Sequence, residues 1–252
     1  SLDEVMAIAN KNIELTDRTL PILKALALSL GNLEQPAITT YQLALLTAQL
    51  YRTKKYKDSR LRVERNFPSA ETIRLNIERL ADTGVLNPLR GFPRNSVFMI
   101  LGKTESPPEE ILCSIDPFAY LSHLSAMAYH GFTNRSPKIL FYSTPSPKEW
   151  RKFAQEKMQT DYGEDFPEFI KSSLPKLSNL TFDKIQGHAV HKHSSLHQGA
   201  YVIAKGRTLR VSSIGRTFLE MVRRPDFCGG INHVIEVFMD SSSVYLQLIL
   251  DE

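Results

Sequence analysis

Along the first hundred residues, apolar positions recur every three to four places in blocks separated by capping and turn residues. After a short amphipathic opening (Leu2, Val5, Met6, Ala9), Leu20, Leu23, Ala27 and Leu30 share one helical face. Thr19 is placed to cap that helix, Pro21 is tolerated in its first turn and Gly31 ends it. A second helix is expected from the run Thr39, Thr40, Tyr41, Gln42. There Thr39 and Gln42 have capping-box spacing, and Leu43, Leu46 and Leu50 form the core stripe. A third begins after Pro68, with Ser69 as cap, Glu71 near the positive helix end and Gly84 as the stop. Its apolar face is Ala70, Ile73, Ile77 and Leu80, which puts Thr72, Asn76 and Arg79 on the opposite stripe with Arg74 beside them. Val85 and Leu86, a loop over residues 90–95 and an apolar strand over 97–101 complete three helices and a hairpin, the pattern of a winged helix-turn-helix.

The polar stretch 103–110, with paired prolines, reads as a linker. It divides the chain into a DNA-binding domain over 1–102 and a second domain over 111–252. In the second domain Ser114, Ile115, Asp116 and Pro117 open a helix with Phe118, Leu121, Leu124 and Ala128 inward and Gly131 at its end. Residues 138–142 read as a strand, and 145–176 as an amphipathic insertion in two helical pieces that packs through Trp150, Phe153, Phe166 and Phe169. Residues 182–212 have a strand-like pattern, followed by helices at 213–223 and 231–239. The expected fold class is α+β, a winged helix-turn-helix followed by a mixed domain.

Charge sharpens this division. Residues 1–100 hold 14 Lys and Arg against 10 Asp and Glu, whereas 101–252 hold 17 of each, so the whole net charge of +4 sits in the first part. Residues 52–65, RTKKYKDSRLRVER, carry seven basic and two acidic side chains, which suits phosphate clamping more than base reading. The expected DNA contacts are Lys54, Lys55, Arg60, Arg62, Ser69, Thr72, Arg74, Asn76, Arg79 and the loop arginines Arg90 and Arg94. Trihelical units of this kind also serve as protein-docking modules, and a charge run is often a solvated face. No apolar run reaches the length of a membrane span and no signal-peptide pattern opens the chain, so a cytoplasmic protein without a membrane partner is expected.

Candidate chemistry in the second domain is sparse. Ser122 and His123 are adjacent, so on one helix they would point apart. The histidines at 188, 191, 193 and 197 could bind a metal in principle, but strand alternation sends 188 and 191 to opposite faces, so a shared site needs a turn between them; Cys113 and Cys228 lack clustered partners. GxSxG, Walker, GxGxxG and HExxH motifs are missing from this half, as is an Asp-x-Lys or Glu-x-Lys pair after residue 110. The expectation is a non-enzyme without metal or cofactor.

Two blocks, IDPFAYLSHLSAMAYHGFTNRSP at 115–137 and GRTFLEMVRRPDFCGGINHVIEVF at 215–238, resemble the AbiEi-type antitoxins of abortive-infection (type IV) toxin-antitoxin systems. They span 47 residues, and RRPDFCGG is the most specific string. The resemblance implies a repressor that autoregulates its own operon at an inverted repeat in its promoter. It also implies a second domain that counteracts a nucleotidyltransferase-like toxin in phage defence. Arg216, Arg223, Arg224 and Asp226 are the candidate partner contacts it suggests, taken as exposed. A ligand-responsive winged-helix transcription factor without a toxin partner is the alternative.

Overall fold

Thr39 and Gln42 make the expected capping box: the Thr39 hydroxyl accepts from the Gln42 amide, and the Gln42 side chain accepts from the Thr39 amide at 2.8 Å. The helix they start is the second in a computed structural model that describes residues 19–195 and 199–252. The amphipathic opening and His197 lie outside the described residues. In order, the first elements are α1 (Ile22–Asn32), β1 (Ala37–Thr39), α2 (Thr40–Thr53), a hairpin of β2 (Lys55–Tyr56) and β3 (Ser59–Arg60), α3 (Ala70–Asp82), β4 (Leu86–Pro88) and β5 (Val97–Ile100). Strand β5 lies between β1 and β4 in a three-stranded sheet. Next come α4 (Pro108–Ile115), β6 (Tyr120–Leu121), α5 (His123–Tyr129), β7 (Ile139–Pro145), α6 (Pro147–Tyr162), α7 (Phe166–Lys171), β8 (Lys184–Ile185), β9 (His188–Ser195), β10 (Tyr201–Ile203) and β11 (Arg210–Ser212). Helices α8 (Ile214–Arg223), α9 (Ile231–Ser241) and α10 (Leu246–Leu250) close the chain. The class is mixed α+β, as expected.

Among the described residues two compact units result: residues 19–33, 39–87 and 158–177 form one, and residues 34–38, 88–157, 178–195 and 199–252 the other. Their boundary does not follow the expected linker. Within 103–110, Pro107 and Pro108 occupy the N-cap and first turn of α4, where a missing amide costs nothing, and Ile111 and Leu112 are fully buried. Paired prolines fit a helix start as well as a tether, and burial of the following residues decides for the helix.

In the first unit the segment 158–177 supplies an aromatic cluster. Tyr162 stacks on Phe169 at 3.9 Å, Tyr41 meets both edge-on, and the Tyr41 hydroxyl donates to Asp161 at 2.8 Å. Half of the predicted insertion therefore belongs to the core of the first unit. Thr19 does not cap α1, whose N-cap is Pro21 with no side-chain bond; its hydroxyl accepts from Arg62 Nε at 2.8 Å instead.

The second unit is built on a six-stranded sheet ordered β10-β11-β6-β7-β9-β8. Its longest pairing is parallel, β7 with β9, in register from Ile139 opposite Ala189 to Pro145 opposite Ser195. One core places Ile111, Leu112, Leu121, Tyr142 and Val211 together with Val97 and Met99 of β5; a second gathers Met127, Phe218, Met221, Cys228, Val234 and Val237. The helix expected to open at Ser114 is three elements instead. Asp116 ends α4, Tyr120 and Leu121 pair with Ser143 and Tyr142 in the sheet, and α5 starts only at His123. Asp116 explains the break: its carboxylate accepts from the Phe118 amide at 3.0 Å, from Thr144 Oγ1 at 2.7 Å and from Trp150 Nε1 at 3.1 Å, which diverts the backbone from helix.

Candidate functional site

The stretch 54–65 folds into a basic ribbon. Lys55 pairs with Arg60 and Tyr56 with Ser59 across a two-residue turn, in which Lys57 adopts a left-handed φ of 50°. The base of the ribbon is fixed on two sides: Leu61 donates to the Lys54 carbonyl at 2.9 Å, and Leu20 donates to the Arg60 carbonyl at 2.7 Å. Lys55, Lys57, Arg60, Arg62 and Arg65 are exposed, while Lys54 is half-buried with Nζ donating to the Glu64 carbonyl at 3.0 Å. A cleft of about 800 Å³ beside the ribbon is lined by Tyr51, Arg62, Arg65 and Thr72 among others.

Helix α3 presents a different face from the one expected. Ser69 caps it as predicted, accepting from the Thr72 amide at 3.1 Å and sitting 2.9 Å from the Thr72 hydroxyl, so both polar groups are engaged in the cap. Asn76, expected outward as a base reader, is buried, and its amide nitrogen has no partner among the described residues. Helix geometry gives the reason: Asn76 stands three residues from Ile73 and four from Leu80, on the same arc as the apolar face. The outward arc is instead Glu71, Arg74, Leu75, Glu78, Arg79 and Asp82. Arg74 lies 2.6 Å from both Glu71 and Glu78, and its bond to Glu71 holds that carboxyl below the usual range. Arg79 is exposed.

Because the Asn76 amide is desolvated without a partner, Asn76→Leu is expected to raise unfolding free energy by roughly 1–2 kcal/mol. Affinity for any nucleic acid should stay unchanged. A denaturant titration showing destabilisation would mean that the amide has a partner in solution.

Arg90 and Arg94 are exposed on the loop between β4 and β5. Leu89 donates to the Val97 carbonyl at 3.0 Å, and Phe92 packs on Phe182 at 4.9 Å, which fixes the loop from below while leaving both guanidiniums in water.

In the second unit a polar network surrounds the start of α5. Ser122 is the N-cap and not a helical residue, and His123 has a left-handed φ of 51°. The two side chains therefore meet, with Ser122 Oγ 2.8 Å from His123 Nδ1, where helical adjacency predicted that they diverge. The strained backbone is held by Glu220, whose carboxylate accepts from the His123 amide at 2.9 Å and from Ser212 Oγ at 2.9 Å. Burial pushes the Glu220 carboxyl up to about 7 against the opposing bonds from His123 and Ser212. Burial, with His193 next, pushes the His123 imidazole down to about 3, so it is neutral.

Arg216, expected exposed, is buried. Its Nε lies 3.6 Å from Glu220, Nη1 lies 3.7 Å from Glu252, and Nη2 is 3.5 Å from Ser195 Oγ. Gly199 fits against its guanidinium, where a Cβ would overlap Nε. The amphipathic turn of α8 sends position 216 inward, beside Glu220 one turn on.

Arg223 is exposed, and Arg224 sits over the Phe227 ring, 3.7 Å from its centroid, while bonding Asp226 at 2.8 and 3.1 Å. His191, His193 and Phe141 surround the same Phe227 ring at 4.5, 6.0 and 5.8 Å. Beside this half-exposed aromatic face, α9 shows an outward stripe of Ile231, Ile235 and Met239.

The chain matches no family model and no curated protein. Glu220 bonds the backbone of His123 and not its ring, so Ser122, His123 and Glu220 do not form a relay that could activate the serine. Among the described residues no three His, Cys, Asp or Glu side chains converge as metal ligands. Both cysteines are free and buried, with their thiols pushed up by burial. No described helix is long and apolar enough to cross a membrane. Sequence reasoning missed the network around Glu220; the signal that could have found it was a glutamate on the apolar side of an otherwise strongly amphipathic helix.

Proposed function

We propose that the chain is a double-stranded-DNA-binding regulator of the winged-helix type whose second unit engages a protein partner. The observation that carries this reading is the order helix, strand, helix, short hairpin, helix, strand, strand, with the last strand between β1 and β4 in the three-stranded sheet. This order is compatible with a winged helix, and the basic excess of residues 1–100 supports the same reading. The resemblance to AbiEi-type antitoxins supports a finer version: a repressor of its own operon, acting at an inverted repeat and countering a nucleotidyltransferase-like toxin. The exposed Arg223 and Asp226 and the stripe on α9, with the half-exposed Arg224 and Phe227, form the face available to such a partner.

With the full chain and a duplex carrying the DNA upstream of its own reading frame, binding at 50 mM salt is expected to weaken by about 10³-fold or more at 200 mM. Displaced counterions give that slope when six or more phosphates are neutralised. An absence of binding at low salt would refute the reading. Co-expression with the adjacent reading frame tests the antitoxin role, where rescue of growth by the full chain but not by Arg223→Ala/Arg224→Ala is the expected result.

One observation favours a second reading, a ligand-responsive regulator. A cleft of about 360 Å³ in the second unit is lined by Ser125, Tyr129, Lys138 and His188 among others, at the lower end of the size range for small-molecule sites.

A further inference from the structure

A helix read as entering the major groove brings its outward arc against two rows of phosphates, so the charge on that arc decides whether it is admitted. On α3 the arc carries three carboxylates, Glu71, Glu78 and Asp82, against two guanidiniums. One of those, Arg74, is held between Glu71 and Glu78. The base reader expected there, Asn76, faces the interior, and Ser69 and Thr72 are engaged in the cap. Arg79 is the other guanidinium on this arc, set among the same three carboxylates.

The ribbon has the opposite character. Lys55, Lys57 and Arg60 are exposed on it and make no side-chain hydrogen bond or ion pair among the described residues, Lys57 meeting only the neighbouring Tyr56 ring at 5.7 Å. Arg62 and Arg65 follow on the exposed strand-to-helix segment. Its backbone is anchored through Lys54, Leu61, Leu20 and Arg60, so the cations stand on a fixed protrusion. Lys57 sits at the turn in a conformation that glycine or asparagine adopts at lower cost, so a charge stands at the tip where the backbone favours another residue. A two-stranded ribbon fits the major groove, and the cleft lined by Arg62, Arg65 and Thr72 lies beside the segment that follows the ribbon.

We infer that the β2-β3 ribbon, through Lys55, Lys57 and Arg60, and not the outward face of α3, is the element of the first unit that grips duplex DNA. This rests on the DNA-binding reading above. The ligand is the phosphate backbone of a duplex, and the ribbon is the fixed cationic comb that meets it.

The test uses the full chain and a labelled 30-base-pair duplex of random sequence, titrated between about 50 and 200 mM salt. Lys55→Ala/Lys57→Ala/Arg60→Ala is expected to bind about 30-fold more weakly or worse at the lowest salt. Its log-log salt slope should be smaller by about two to three, since each phosphate contact contributes about 0.9. Arg79→Ala should stay within about twofold of the wild type with its slope unchanged. Lys55→Gln/Lys57→Asn, which suits the turn, serves as a second ribbon variant, and circular dichroism checks that each variant folds. A ribbon variant that is folded and binds within threefold of the wild type overturns the inference, as does a tenfold loss from Arg79→Ala. If the wild-type chain itself fails to bind the duplex, the DNA-binding reading falls, which is a different result from a wild type that binds and a ribbon variant that binds equally.

Discussion

Above pH 7, where the carboxyl is ionised, Glu220→Ala is expected to cost about 3–5 kcal/mol of folding free energy, because it removes one partner of a buried ion pair and leaves the other. Arg216 would keep its charge in a pocket where its side chain is only 8% exposed, with the more distant Glu252 as its remaining carboxylate. The amide of His123 and the hydroxyl of Ser212 would lose their acceptor as well, and the left-handed turn at His123 would lose the bond that fixes it. A loss of this size is a large fraction of the stability of an ordinary domain. A thermal or denaturant melt reads it directly, and a change below 1 kcal/mol would show that the network contributes little.

The isosteric variant gives the pH dependence of the same site. The folded-state value of Glu220, about 7, lies above its ordinary value of 4.5. Below pH 4.5 the carboxyl is protonated folded and unfolded, and its contribution is fully present. As pH rises toward 7 the unfolded chain releases the proton first, and that contribution is lost through the folded value. The stability of the wild type relative to Glu220→Gln should therefore decline between pH 4.5 and 7.5. An advantage that grows with pH would mean that Glu220 is already ionised at pH 5 and that its attraction to Arg216 outweighs burial.

Trp150→Ala should cost a similar 3–5 kcal/mol, by a different route. Trp150 is 2% exposed, meets Phe118 edge-on at 5.4 Å, and donates from Nε1 to Asp116 at 3.1 Å. Truncation opens a cavity and leaves the buried carboxylate with two donors, Thr144 Oγ1 and the Phe118 amide. Trp150→Phe separates the two effects: it retains most of the volume and should cost only about 1–2 kcal/mol, the share of the lost hydrogen bond. Because Trp150 is the sole tryptophan, the variants must be followed by circular dichroism and not by intrinsic fluorescence. Equal losses for the two substitutions would assign the whole effect to the bond with Asp116.

Elements whose start and stop are encoded within four residues were legible from the sequence. The Thr39 capping box, the Ser69 cap and Gly131 after α5 are where spacing put them. The strand near 138–142 and the two-part insertion are also present, because the apolar pattern of each is carried by its own residues. The mixed α+β class followed from these elements. The concentration of basic residues between 52 and 65 was equally plain, since charge is counted and not folded.

Tertiary structure decided what those residues face. Whether Asn76 belongs to the polar stripe or the buried arc depends on what packs against α3, and a rotation of about 60° on the helix changes the answer. Arg216 looked like a surface cation until Glu220 and Glu252, four and thirty-six residues later, closed around it. Ser122 and His123 meet because one is a cap and the other lies at positive φ, a pairing that residue identity does not encode. The break at Asp116 is set by Thr144 and Trp150, which arrive from 28 and 34 residues away. Local pattern fixes where helices and strands begin, because caps and apolar repeats act over one or two turns. Burial, ion pairing and the exposed face of an element are properties of distant segments brought together, and those govern the candidate site.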